Sequence, residues 1–298
     1  MWPIVVTVAA LLAVAAWLTL FTNGLSSSTR RSKTRFPFSN VPSQRTVIDP
    51  RVISYPLPRV TIGPPVVTIL VAQGGMSPAA SLYFVNPRSS PPVTQITPIL
   101  LAGGLPVTIT GLAEHPITRI LYAATATFSP NITNHLITIN TNTGLATDVG
   151  PLVGASQIND ITFRSDGVLY GTAPLAGMGI INITNGTVTL LNSQPLISSG
   201  NGTSFLPLLG SPQTLWVVSG STPILYSVDQ VTGIILTTTA LAPPLTARCN
   251  ALTALGVNLL GSLTDGSLVS INPLTGTTTV IGGPGYLPTF TDAIAVMF

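Results

Sequence analysis

Few side chains in this chain are suited to chemistry. Its 298 residues include two histidines (His115 and His135), one cysteine (Cys249), one glutamate (Glu114) and one lysine (Lys33). A Ser-His-Asp hydrolase needs a nucleophile held by a base, and that base held by an acid. Either histidine could be written into such a set, but the Gly-x-Ser-x-Gly turn that presents a strained serine is absent from the sequence. One cysteine allows neither an intrachain disulfide nor a Cys-based zinc site, so Cys249 reads as a small buried hydrophobe. There is no glycine-rich phosphate loop leading into a helix and no EF-hand pattern. Asp265-Gly-Ser and Ser165-Asp-Gly read as turns. No cofactor is expected.

The polar set with most promise is Asp160, Asn250 and Asp292. Its meaning depends on the elements that carry it. From Val66 on, short apolar runs broken by turn residues repeat at propeller-blade spacing. One strand opens with Leu and a large residue: Leu121-Tyr122, Leu169-Tyr170, Leu215-Trp216 and Leu259-Leu260. An alternating strand follows, at Leu82–Val85, Leu136–Asn140, Gly179–Ile183, Leu225–Asp229 and Leu268–Asn272. A turn then ends in Gly144, Gly186, Gly233 or Gly276, and a fourth strand leaves it. Ahead of each Leu-aromatic strand runs another, at Val107–Leu112, Asn159–Phe163, Thr203–Leu208 and Asn250–Ala254.

Each unit is therefore four antiparallel strands. The first unit lacks its leading strand, and Thr291–Val296 is a leading strand with nothing after it. Joining the two ends makes five blades and removes the exposed sheet edges of an open array. The expectation is an all-β, single propeller of five four-stranded blades, closed by the C-terminal strand. A stack of β-sandwiches is the rival, and Val60–Ile69 could start a sixth blade. In a propeller the leading strands line the central channel. Asp160, Asn250 and Asp292 would then ring one mouth and hold a cation or polar ligand, or else lock neighbouring blades together.

Composition agrees with strands. Charged residues are only 6% of the chain, against roughly a quarter in ordinary soluble domains. Glu and Lys, which usually cover helices, are nearly missing. From Val66 on, Arg88, Arg119, Arg164 and Arg248 face Glu114 and the aspartates 148, 160, 166, 229, 265 and 292. That part is mildly acidic, with no basic patch for nucleic acid.

Three segments result: an anchor at 1–22, a basic Ser/Pro-rich linker at 23–65, and the propeller at 66–298. Pro3 to Phe21 carries no charge and is long enough to cross a bilayer as one helix. A cleaved signal peptide is the alternative. Arg30, Arg31, Lys33 and Arg35 follow directly. The positive-inside rule would keep what comes next in the cytoplasm, whereas the sequons at Asn131, Asn182, Asn185 and Asn201 suit an extracytoplasmic propeller.

The stretches Leu136 to Gly150 and Asn159 to Thr172 (NDITFRSDGVLYGT) resemble the repeats of secreted and surface propellers of the YVTN, NHL and TolB-like kind. That resemblance implies architecture, and a range of roles from scaffold to enzyme. Three functions follow as expectations. The first is a membrane-tethered binding scaffold without catalysis, meeting an unknown protein or glycan through loops Gly74–Ala80, Ala126–His135 and Gln194–Gly202. The second is a structural surface or envelope protein. The third is a hydrolase or lyase working at the channel mouth.

Overall fold

The computed structural model describes residues 68–74, 79–88, 92–174, 176–191, 202–206 and 213–297. The expected anchor, the linker, Asn201 and much of two of the proposed contact loops lie outside them. No helix among the described residues is long and apolar enough to cross a membrane.

The chain opens with β1 (Thr68–Gln73), β2 (Ser81–Val85) and β3 (Val93–Pro98), then a short hairpin, β4 (Leu100–Leu101) and β5 (Leu105–Pro106). Next come β6 (Ile109–Glu114), β7 (Leu121–Thr125), β8 (His135–Ile139) and β9 (Ala146–Pro151). They are followed by β10 (Asp160–Phe163), β11 (Leu169–Ala173), β12 (Gly177–Ile181) and β13 (Val188–Leu190). The fourth group is β14 (Gly202–Leu206), β15 (Thr214–Val218), β16 (Ile224–Val228) and β17 (Ile235–Ala240). The fifth is β18 (Cys249–Leu255), β19 (Asn258–Leu263), β20 (Leu268–Ile271) and β21 (Thr278–Gly282). The last strand is β22 (Thr291–Met297).

Among the described residues these strands make five four-stranded antiparallel sheets, β22-β1-β2-β3, β6 to β9, β10 to β13, β14 to β17 and β18 to β21, plus the β4-β5 hairpin. These are blades 1 to 5. The expected closure is present: β22 lies beside β1, from Thr68 opposite Met297 to Gln73 opposite Thr291. Blade 1 thus takes its inner strand from the far end of the chain.

The Leu-plus-large pairs have a physical reason. Successive strand residues point to opposite faces, and each blade is packed on both faces. Leu169 joins the apolar cluster shared with blade 2, and Tyr170 joins the one shared with blade 4. Leu215 and Trp216 divide the same way between blades 3 and 5, as do Leu259 and Leu260 between blades 4 and 1. Five separate cores therefore sit between neighbouring blades. Each fully buried Leu or Tyr stabilises this arrangement by about 1.5–3 kcal/mol.

The outer turns repeat more strictly than any other element. Asn140 Oδ1 accepts the N–H groups of Asn142 and Thr143, and Asp229 Oδ1 accepts those of Val231 and Thr232. Asn272 Oδ1 does the same with Leu274 and Thr275. The closing glycines need φ near +70°, as at Gly144 and Gly276. They also need to lack a Cβ: one at Gly144 would strike the Pro98 carbonyl, and one at Gly276 the Ala240 carbonyl, each on the preceding blade.

Candidate functional site

The inner strands β22, β6, β10, β14 and β18 surround the axis, and their pairing with β1, β7, β11, β15 and β19 fixes which residues share a level. Asp160 lies opposite Thr172, Gly111 opposite Ala124, Gly202 opposite Val218, Ala251 opposite Ser262 and Ala293 opposite Ala72. At this level four blades carry Gly or Ala and one carries Asp. The level is too narrow for more. A Cβ at Gly111 would meet the Asp160 backbone, and one at Gly202 would meet the backbone joining Ala251 to Leu252.

Asp160 is fully buried there, 0% exposed. Its Oδ1 accepts the N–H of Ile161 at 2.9 Å. Its Oδ2 accepts the N–H of Thr203 in blade 4 at 2.8 Å and of Leu252 in blade 5 at 3.1 Å. One carboxylate therefore joins three blades at the axis. Burial pushes its carboxyl well above the ordinary carboxylate range, against the pull of the three N–H bonds. The nearby Cys249 thiol is pushed up by burial first and by the charge of Asp160 second, which makes it an inert packing group.

The three expected site residues do not form one ring. Asn250 donates through Nδ2 to Asp292 Oδ1, so those two meet. Both occupy the extra residue of a β-bulge, between Cys249 and Ala251 and between Thr291 and Ala293. Asp160 stands one residue further along its strand, at the level of Ala251. A one-residue step changes where a strand side chain points, so Asp160 turns onto the backbone N–H groups of Thr203 and Leu252 and does not join Asn250 and Asp292. The residue at the bulge level in blade 3 is Asn159. It is a neutral amide beside a carboxylic acid, and composition and spacing alone do not single it out. Thr110, in the bulge between Ile109 and Gly111, is the counterpart in blade 2.

Beyond Asp160, where the inner strands end, the channel opens into a cup of about 320 Å³. All five inner strands line it. Its wall is mainly apolar, including Leu112, Ile161, Phe205, Leu252 and Val296, and its rim carries Glu114, Arg119 and Gln213. Arg119 Nη1 donates to Glu114 Oε2 at 3.3 Å, and the Glu114 side chain is only 4% exposed. Arg119 sits at φ 62°, a left-handed conformation uncommon for a side-chain-bearing residue. Beside the cup, Arg164 forks onto Asp166 at 2.9 and 2.7 Å and reaches the Tyr170 hydroxyl and Gln230 in blade 4.

Neither histidine lines the cup. His115 Nδ1 accepts the N–H groups of Ile117 and Thr118, which shapes the loop after β6. His135 Nδ1 lies 2.9 Å from Asp148 Oδ1 across β8 and β9. Among the described residues no three His, Cys, Asp or Glu side chains come together as a metal site. Of the sequon residues, Asn131, Asn182 and Asn185 are exposed. Asn131 Nδ2 donates to the Pro106 carbonyl, and the side-chain oxygens of Asn182 and Asn185 accept turn N–H groups.

No family model matches the chain, and no curated protein matches it. Solved structures do. A chain of the nidogen/laminin complex aligns with TM-score 0.51 at 13% identity, covering 78% of this chain and 98% of that one. A protein of unknown function from Bacteroides thetaiotaomicron gives 0.46 at 14% identity, over 65% of this chain and 53% of the other. BamB from Moraxella catarrhalis gives 0.37 at 17% identity, over 71% and 57%. At such identities the likeness concerns the fold: this chain is a five-bladed β-propeller of the repeat-built kind.

Proposed function

We propose that the chain is a membrane-tethered, non-catalytic binding scaffold whose partner protein inserts an apolar side chain into the cup. The observation that carries this reading is the cup itself, a mainly apolar recess lined by all five inner strands and bordered by the Glu114–Arg119 ion pair. Apolar recesses with a few polar rim groups are what buried anchor residues occupy at interfaces. The similar chain of the nidogen/laminin complex was captured together with another protein, which is in keeping with this role. Residues 3–21 are the proposed single-pass anchor, with the propeller outside the cytoplasm.

The test is photocrosslinking of the full chain in the cells that make it. A crosslinker at Gln213 on the rim should yield one discrete protein adduct. The same group at Leu236 on the outer edge should not, and Ala254→Trp, which fills the cup, should abolish the adduct. Equal labelling at both positions would defeat the reading. Protease protection of the membrane fraction checks the orientation.

A second reading, a structural surface or envelope protein, draws on the outer edges. Val231, Leu236, Leu274 and Val280 are 79%, 62%, 70% and 60% exposed there, and exposed apolar side chains in number suit packing against other copies. Regular assemblies in sedimentation experiments would favour it.

A further inference from the structure

The end of the channel away from the cup carries a polar side chain at the bulge level of four inner strands: Thr110 of β6, Asn159 ahead of β10, Asn250 of β18 and Asp292 of β22. Of these only Asp292 is charged. The Thr110 hydroxyl donates to the Ile158 carbonyl at 2.7 Å, which commits its proton and leaves oxygen lone pairs to offer. Asn250 gives an N–H to Asp292, so its amide oxygen is the end not used in that bond.

Asn159 is the telling member. It is 6% exposed, and its Oδ1 accepts from Gln157 Nε2 at 2.9 Å. Its Nδ2 is buried with no partner among the described residues. A buried donor left unpaired costs about 1–3 kcal/mol. Turning both amides over keeps the bond between Asn159 and Gln157 with roles exchanged, and puts the Asn159 oxygen where the lone NH₂ stood. The level then offers a hydroxyl, two amide oxygens and one carboxylate. Oxygen donors with a single negative charge match a hard cation.

We infer that this mouth holds one oxygen-ligated cation of the calcium class, bound through Asp292, Asn250, Asn159 and Thr110. It is independent of the cup, because the Asp160 level separates the two. A single carboxylate puts the affinity in the weak range, about 10⁻⁴–10⁻³ M.

The test uses full-length protein in detergent, stripped with chelator and dialysed against labelled calcium, with the melting temperature followed in parallel. Wild type should take up one equivalent at about 1 mM and melt higher as calcium rises. Asp292→Asn should lower the uptake about tenfold, and Asn159→Asp, which adds a carboxylate, should raise it. No uptake by wild type at about 10 mM would overturn the assignment. So would uptake that neither substitution moves.

Discussion

The axis of this ring and its circumference solve different problems with the same repeat. At the outer turns, Asn140, Asp229 and Asn272 each bond two N–H groups of their own turn, and Gly144 and Gly276 each press on the preceding blade. Each blade has its own copy of that problem, so the answer recurs. At the axis the five blades share one space. Gly111, Gly202, Ala251 and Ala293 give way, and only Asp160 enters. Symmetry in sequence survives where a contact is local to a blade and must break where five blades converge.

The largest effect should come from breaking closure. Deleting 291–298 removes the inner strand of blade 1 and exposes two cores. The near-ultraviolet circular dichroism and the cooperative unfolding transition should both be lost. Asp160→Gly follows, leaving the N–H groups of Ile161, Thr203 and Leu252 without their acceptor, at a cost of about 2–5 kcal/mol in urea unfolding. Asn140→Ala at the circumference should cost only about 1 kcal/mol, since it touches one turn. A reversed order would dissolve the distinction.

Glycines sharpen it. Gly202→Ala drives a Cβ into blade 5 and should cost about 1–3 kcal/mol. Gly256→Ala, at φ +63° with open space around it, should cost about 1 kcal/mol from backbone conformation alone.

The last contrast is in pH. The folded pKa of Asp160 lies above its unfolded value of about 3.9, so the stability it contributes is full below about pH 4 and declines as pH rises through the folded value. Asp166 runs the other way. Arg164 holds its carboxyl low, so its contribution is present above about pH 4 and is lost as pH falls through the folded value. With Asp166 53% exposed, that term should be slight. Unfolding series of Asp160→Asn and Asp166→Asn should each flatten the corresponding limb.

Much of the fold was legible in the sequence for the same reason the turns repeat. The pair Leu169-Tyr170 announces a strand packed on both faces, and the orphan strand at 291–296 announces the closure. The site was less legible. Asp160 and Asn159 are neighbours, and only the bulges in β6, β18 and β22 decide which of them shares a level with Asn250 and Asp292. A bulge shifts register by one residue without leaving a reliable mark in composition. The cup left no signal either, because its wall is built from residues such as Leu112 and Leu252 that read as ordinary core.

Amide hydrogen exchange in wild type and Asp160→Gly tests the axial clasp most directly. The Thr203 and Leu252 amides should exchange slowly in wild type and lose most of that protection in the variant, while the Thr143 and Thr275 turn amides keep their rates. Unchanged protection at Thr203 and Leu252 would mean that the carboxylate does not hold the blades together.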